Sequence, residues 1–310
     1  MNEQAAARSG KTPWRNRLIN PVLDKEFRLR MRTPRAMWTL FFYLFALSLL
    51  SLSAIYLTQG MSGRGASFNP EQSKTLFYFL SMAQLGLIAF MAPGLTAGVI
   101  SGEREKQTLN LLLTTQQSSA TIILSKLASS LSFMLLIVFA TIPVYSMMFL
   151  YGGVSPKQLV LVFVFYAFMM VLLGSFGILF STLLKRTMIS VIVTYGVTLF
   201  MFVGTAVLFF VAQNIMQQAI YNGQGSMTAG NSHAWVGHII ALNPAGALYS
   251  ILDPQISDQV FTIGWSGGQT KGAPMPLWQE FMIVYGVIAI FVCWLAIRNL
   301  RPKLGGRKRG

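Results

Sequence analysis

Six stretches of this chain are so long and so apolar that they dictate its class. They run from Met37 to Leu57, Leu76 to Ile100, Ala120 to Tyr151, Leu159 to Leu184, Met188 to Ala212 and Phe281 to Ile297. None contains Asp or Glu, and Lys126, near one end of its run, is the only cation within them. A helix crosses the hydrocarbon core of a bilayer with about 20 mostly apolar residues. A charge at mid-span costs at least ~2.5–3.5 kcal/mol, and these runs avoid that cost. Only helices or closed barrels satisfy their backbone in lipid. Barrel strands alternate apolar and polar positions over about 10 residues, whereas Leu159 to Phe165 is apolar throughout. The expected fold is therefore an all-α polytopic membrane protein with six transmembrane helices.

Charge content agrees with this reading. Only 11% of the 310 residues are charged, 54% are hydrophobic and mean hydropathy is +0.56, against roughly 25% charged in a soluble domain. Net charge is +15, and its distribution explains it. With six alternating spans, 20 of the 24 Lys and Arg fall on one side: the N-terminal leader, the 101–126 region, Lys185 with Arg186, and the tail. By the positive-inside rule that side is the cytoplasm, so both termini are expected there. The positive balance is a topology signal, and nucleic-acid binding is not needed to account for it. No cleavable signal peptide is evident, because about 35 polar and basic residues precede the first run. That run is expected to act as an uncleaved anchor.

The plan that follows has a basic cytoplasmic leader at 1–35, a six-span domain at 36–298 and a basic cytoplasmic tail at 299–310. Within the leader, Asn20-Pro21 reads as an N-cap with Pro at the first helical position. Leu23, Phe27 and Met31 recur at four-residue steps among Lys25, Arg28, Arg30 and Arg32, the pattern of a basic amphipathic helix lying in the membrane interface. The alternative is a solvated leader. Between spans two and three, Gly102 to Thr115 packs its charges into the first turn, and Leu109, Leu112 and Leu113 share one face. A cytoplasmic helix is expected over 102–118. Spacing alone leaves two readings: the leucine face fills a groove on a partner, or it lies back on the membrane. The long outer loop at 213–276 carries two short apolar stretches, Ala234 to Leu242 and Ala245 to Leu252, and Asn243-Pro244 repeats the cap signal. Two short helices are expected there, followed by a flexible Gly-Ser stretch at 264–268. Gly94, Gly98 and Gly102 follow at four-residue steps, with Gly86 two turns earlier. Such a stripe lets another helix approach closely, within the chain or from a partner subunit, and Pro93 should kink the same helix.

Chemistry-bearing motifs are sparse. Gly10-Lys11-Thr12 ends like a phosphate-binding loop, but Ala5 stands where its first glycine should be and no strand precedes it. No cytoplasmic segment is long enough for a nucleotide-binding domain. His233 and His238 lack the further ligands of a zinc site, and Cys293 is the only cysteine. The spans hold Ser and Thr but no His, Asp or Glu to activate them, nor the ionisable groups that ion-coupled transport usually uses. The energy source is expected outside this chain.

Gly102-Glu103-Arg104-Glu105-Lys106-Gln107-Thr108-Leu109-Asn110-Leu111-Leu112-Leu113-Thr114-Thr115, followed by Ser125-Lys126, resembles the signature of ABC-2 type transporter permeases. Asn20 to Phe27 and Leu242-Asn243-Pro244 are similar to members of that family, and the six-span layout agrees. Two positions depart from the pattern: Gln107 stands where the family often has Gly, and Gln116 where Pro is common. They bear on where the 102–118 helix ends and at what angle.

The resemblance implies that two permease subunits pair, as a homo- or heterodimer, each contacting a separate ABC ATPase subunit that binds ATP and Mg. It implies no cofactor on this chain and no catalytic residue. Glu103, Arg104, Thr108, Leu109, Leu112 and Leu113 would couple to the ATPase, the leucines in its groove and the charged pair fixing the start of the helix. The helix with Leu23, Phe27 and Met31 would be the connecting helix. The expected function is export of an amphipathic or lipid-like substrate across the cytoplasmic membrane of a prokaryote. The competing expectations are mechanical transmission to an extracytoplasmic partner and a non-transport membrane scaffold.

Overall fold

Apolar runs of this length close their backbone hydrogen bonds within the segment, and in the computed structural model all six form helices long and apolar enough to span a membrane. The structure describes residues 34–62, 70–108, 118–150, 152–221, 234–262 and 275–300, and among these there is no strand. Leu23, Phe27 and Met31, the leucines at 109, 112 and 113, and the 264–268 stretch lie outside the described residues.

Span one is α1 (Pro34–Ser62). Span two is α2 (Pro70–Thr96) followed by a bend and the short α3 (Ser101–Glu105). Span three is α4 (Ser119–Phe139), continued after a break by α5 (Ile142–Leu150). Span four is α6 (Pro156–Leu183). Span five joins α7 (Thr187–Leu199) through a π-helical turn (Phe200–Gly204) to α8 (Thr205–Tyr221). Span six is α12 (Leu277–Leu300). Three short helices, α9 (Ala234–Ala241), α10 (Pro244–Leu252) and α11 (Gln255–Thr262), stand between spans five and six.

Each irregularity has a local cause. Pro143 has no N–H and its ring opposes the carbonyl of Phe139, where α4 ends. In span two the helix runs on past Pro93 to Thr96, and the ladder lapses only at 97–100, where neighbouring helices complete it. The amides of Ile100 and Ser101 would bond Thr96 and Ala97 in a regular helix. Instead both donate to Ser181 Oγ of α6, at 2.8 and 2.9 Å, while Ala97 O accepts from Ser190 Oγ of α7 at 2.7 Å. The two helices approach closely enough that a Cβ on Gly177 would lie 2.0 Å from Thr96 Oγ1. Gly177 is thus the tight glycine of the span two–span four contact.

Span four is the centre of the bundle: half of its most apolar window is buried, against 22% for spans one, five and six. Phe77, Leu80, Phe165, Tyr166, Leu172 and Phe281 fill the core between spans two, four and six. The outer spans turn large apolar side chains outward, among them Trp38, Phe41, Phe42, Phe210 and Ile290. So large an apolar surface suits lipid or another membrane helix and not water. Span five, Thr187–Gln218, has 32 residues and is about 48 Å long. It reaches well beyond a hydrocarbon core of about 30 Å, and its helix continues through a polar stretch assigned from the sequence to the loop.

Candidate functional site

Contacts sort the span termini into two ends. The end of span two meets the start of span three, the end of span four and the start of span five through Lys126, Leu184 and Thr187. This end holds Arg104, Lys106, Lys126, Lys185 and Arg186, and is here called the basic end.

Its organiser is α3. The helix runs only from Ser101 to Glu105 and closes with a Schellman motif. Thr108 N donates to Glu103 O at 3.0 Å and Gln107 N to Arg104 O at 3.1 Å. Gln107 takes the left-handed conformation that such a motif needs, φ 57°, and is the only non-glycine to do so among the described residues. A helix continuous across 102–118 was expected; the structure ends its first segment at Glu105 because Gln107 turns the chain. Glycine reaches this conformation without a Cβ penalty.

Three consecutive charged side chains then reach three different spans. Glu103 Oε1 pairs with Lys126 Nζ at 3.1 Å, and its Oε2 accepts Thr108 Oγ1 at 2.6 Å. Arg104 donates to Leu184 O at 3.3 Å and Thr182 O at 3.1 Å, the free carbonyls at the C-terminus of α6. A cation there also suits the helix dipole. Glu105 Oε1 accepts the amide of Thr187 at 2.7 Å, at the N-terminus of α7, where an orphan donor and the positive dipole end both favour a carboxylate. One turn of helix therefore holds the starts of spans three and five and the end of span four. Lys126, placed by the sequence only near one end of its run, has a side chain 8% exposed and in ion contact with Glu103.

The glycine stripe lies against the first turns of span five. A Cβ on Gly94 would meet Tyr195 Oη at 3.0 Å, one on Gly98 would meet Thr187 Cγ2 at 3.1 Å, and one on Gly102 would stand 3.9 Å from Thr187 Oγ1. Gly86 has no such neighbour within 4 Å. Glu105, Ser181 and Ser190 were not singled out in the sequence. Glu105 could have been found as the third charge of its turn; serines inside apolar helices carry no comparable signal.

The sequence matches the family model for ABC-2 family transporter protein over residues 20–299. The chain belongs to the ABC-2 transporter family. Among curated proteins none matches it. As an ABC-2 permease it is an integral multi-pass membrane protein, and ABC-2 permeases generally partner with ABC ATPases. Among its described residues, the 102–126 stretch that carries the resemblance centres on α3, whose contacts join spans two to five.

The opposite end of the permease is organised by Asn243. Its Oδ1 accepts the amides of Ala245 and Gly246 at 2.8 and 3.2 Å, capping α10. Its Nδ2 donates to Phe202 O at 2.7 Å and to Thr205 Oγ1 at 2.9 Å, within and just after the π turn of span five. At the other end of α10, the carbonyl of Leu252 accepts from Tyr78 Oη and from Gln158 Nε2, the latter at 3.1 Å. The helix α11 was not expected. Its polar sequence hides it, yet Val260 packs on a cluster of Phe209, Ala212, Met216 and Val236. His238 Nδ1 lies 2.7 Å from Glu280 Oε1, which joins α9 to span six.

Proposed function

We propose that this chain is the permease subunit of an ABC-2 exporter in the cytoplasmic membrane of a prokaryote, with both termini and the basic end in the cytosol. It pairs with a second permease subunit, and each contacts a separate ATPase subunit that binds and hydrolyses Mg-ATP. The substrate is amphipathic or lipid-like, since the apolar runs offer no intramembrane charge to a strongly ionic cargo.

The observation that carries this reading is the α3 hub. The stretch that follows it, with Leu109, Leu112 and Leu113, is the part of the signature suited to an ATPase groove. Any displacement of that stretch acts first on α3, whose three charged side chains reach spans three, four and five. Glu103, Arg104 and Thr108 thus serve as positioning residues for coupling. In the same reading Leu23, Phe27 and Met31 would belong to the connecting helix.

Co-purification of the permease with a candidate ABC ATPase from the same organism tests the reading. Leu112→Asp is expected to abolish capture of the ATPase while the permease still inserts. Unchanged capture overturns the coupling assignment. Cysteine labelling at position 106, in a Cys293→Ser background, is expected only from the cytosolic side.

A further inference from the structure

Span six has two unlike sides. Val292, Ala296 and Leu300 pack in one cluster with Ile100, Ile123 and Ile178, so this half of the helix runs beside spans two, three and four to the basic end. The other side carries Ile283, Val287, Ile290, Phe291 and Trp294, each more than half exposed. Their three- and four-residue steps put them on one face, which ends on the exposed Arg298. The rings of Phe291 and Trp294 stack with centroids 5.9 Å apart and planes at 25°. The Arg298 guanidinium lies 5.5 Å from the centroid of the Trp294 ring.

Length and charge together select what covers this face. From Val287 to Arg298 the helix rises about 17 Å, close to one leaflet's share of a hydrocarbon core of about 30 Å. Trp294 therefore falls near the membrane surface, where tryptophan is favoured, and Arg298 falls at it. A cation–π contact holds a guanidinium by its charge, and the N–H fork of arginine matches a phosphate. A second copy of the chain fits this place less well. Its basic end would bring the same cations, and among the described residues there the carboxylates of Glu103 and Glu105 are already engaged, by Lys126 and by the amide of Thr187. A lipid with a net negative headgroup supplies both missing parts, an acyl chain for the apolar face and an anion for its basic end.

We propose that the outward face of span six is a binding site for an anionic phospholipid, with its phosphate on Arg298 and an acyl chain along Trp294, Phe291, Ile290 and Val287. Trp294 is the positioning residue, which fixes the guanidinium where the phosphate arrives. The inference needs only that span six crosses the membrane. It is independent of the ATPase assignment.

The test uses the full chain in phosphatidylcholine vesicles doped with brominated phosphatidylglycerol or, in parallel, brominated phosphatidylcholine. Bromine quenches tryptophan emission on contact, and subtracting the emission of Trp294→Phe isolates the share of Trp294. Phosphatidylglycerol is expected to occupy this face about fivefold more strongly than phosphatidylcholine, the preference that one cation near a membrane surface provides. Arg298→Gln, corrected in the same way, is expected to bring the two lipids level. Arg298→Met gives the same comparison if Arg298→Gln inserts poorly. Trp278, at the opposite end of the helix, is expected to show no preference. Equal quenching of Trp294 by the two lipids overturns the proposal. So does a preference that survives loss of Arg298 or recurs at Trp278, which would be a general attraction to positive charge. Protection of Trp294 from both lipids overturns it as well, since a second subunit would then cover the face.

Discussion

The carboxylate of Glu105 accepts the backbone amide of Thr187 at 2.7 Å, across 82 positions of sequence. The end of span two thereby caps the start of span five, and Arg104 next to it caps the end of span four. The two residues grip the 184–187 turn from both sides. Glu105→Gln and Arg104→Ala are each expected to raise hydrogen–deuterium exchange at 184–190, leaving the opposite end of the bundle unchanged. Equal exchange in wild type and variants would show that the turn holds itself.

The Glu103–Lys126 pair joins a buried lysine to a partly exposed carboxylate that also accepts from Thr108. Glu103→Gln or Lys126→Met alone is expected to destabilise by about 1–2 kcal/mol, because an ion contact with one buried end is lost. The double variant should cost clearly less than the sum of the two singles. Thermal unfolding of all four proteins in one detergent gives the cycle, and strict additivity would contradict the coupling.

Gln107 adopts a conformation that glycine takes without a Cβ penalty. Gln107→Gly is expected to stabilise the fold by about 1 kcal/mol, and Gln107→Val to destabilise it by at least about as much. A midpoint that falls on glycine substitution would mean that the Gln side chain contributes more than its backbone strain costs.

Close packing at Gly177 leaves no room for a methyl group. Gly177→Ala is expected to cost about 1–3 kcal/mol by overpacking, partly recovered by Thr96→Ala, since the nearest atom is Thr96 Oγ1. The Cβ of residue 96, which alanine keeps, would stand 2.8 Å from the added carbon and the Ala97 amide 3.1 Å, and both limit that recovery.

At the other end, Asn243→Ala removes both the α10 cap and the partner of the π turn, for a loss of about 2 kcal/mol. Asn243→Asp keeps the capping oxygen but sets a carboxylate against the Phe202 carbonyl. It should be the more harmful of the two. Expression level and unfolding midpoint report the ranking.

The spans were legible because each run nears or exceeds the length that lipid demands, a signal carried by many residues at once. Asn243-Pro244 was legible as a cap, since its chemistry is local. What stayed hidden depends on partners distant in sequence. Ser181 and Ser190 look like filler in apolar helices until the bend in span two brings amides and a carbonyl to them. Lys126 read as a terminal cation because nothing near it in sequence announces Glu103. Gln107 lacks the glycine that would have marked the chain reversal, and α11 has too few apolar residues to show a face until span five supplies one.

Because Ser181 stands in for two rungs of another helix's ladder, the bend of span two is held in shape by span four. A lesion at position 181 should present itself as a fault eighty residues upstream. Second-site suppressors of it would accordingly be sought around 96–101, in a helix the original change never touched.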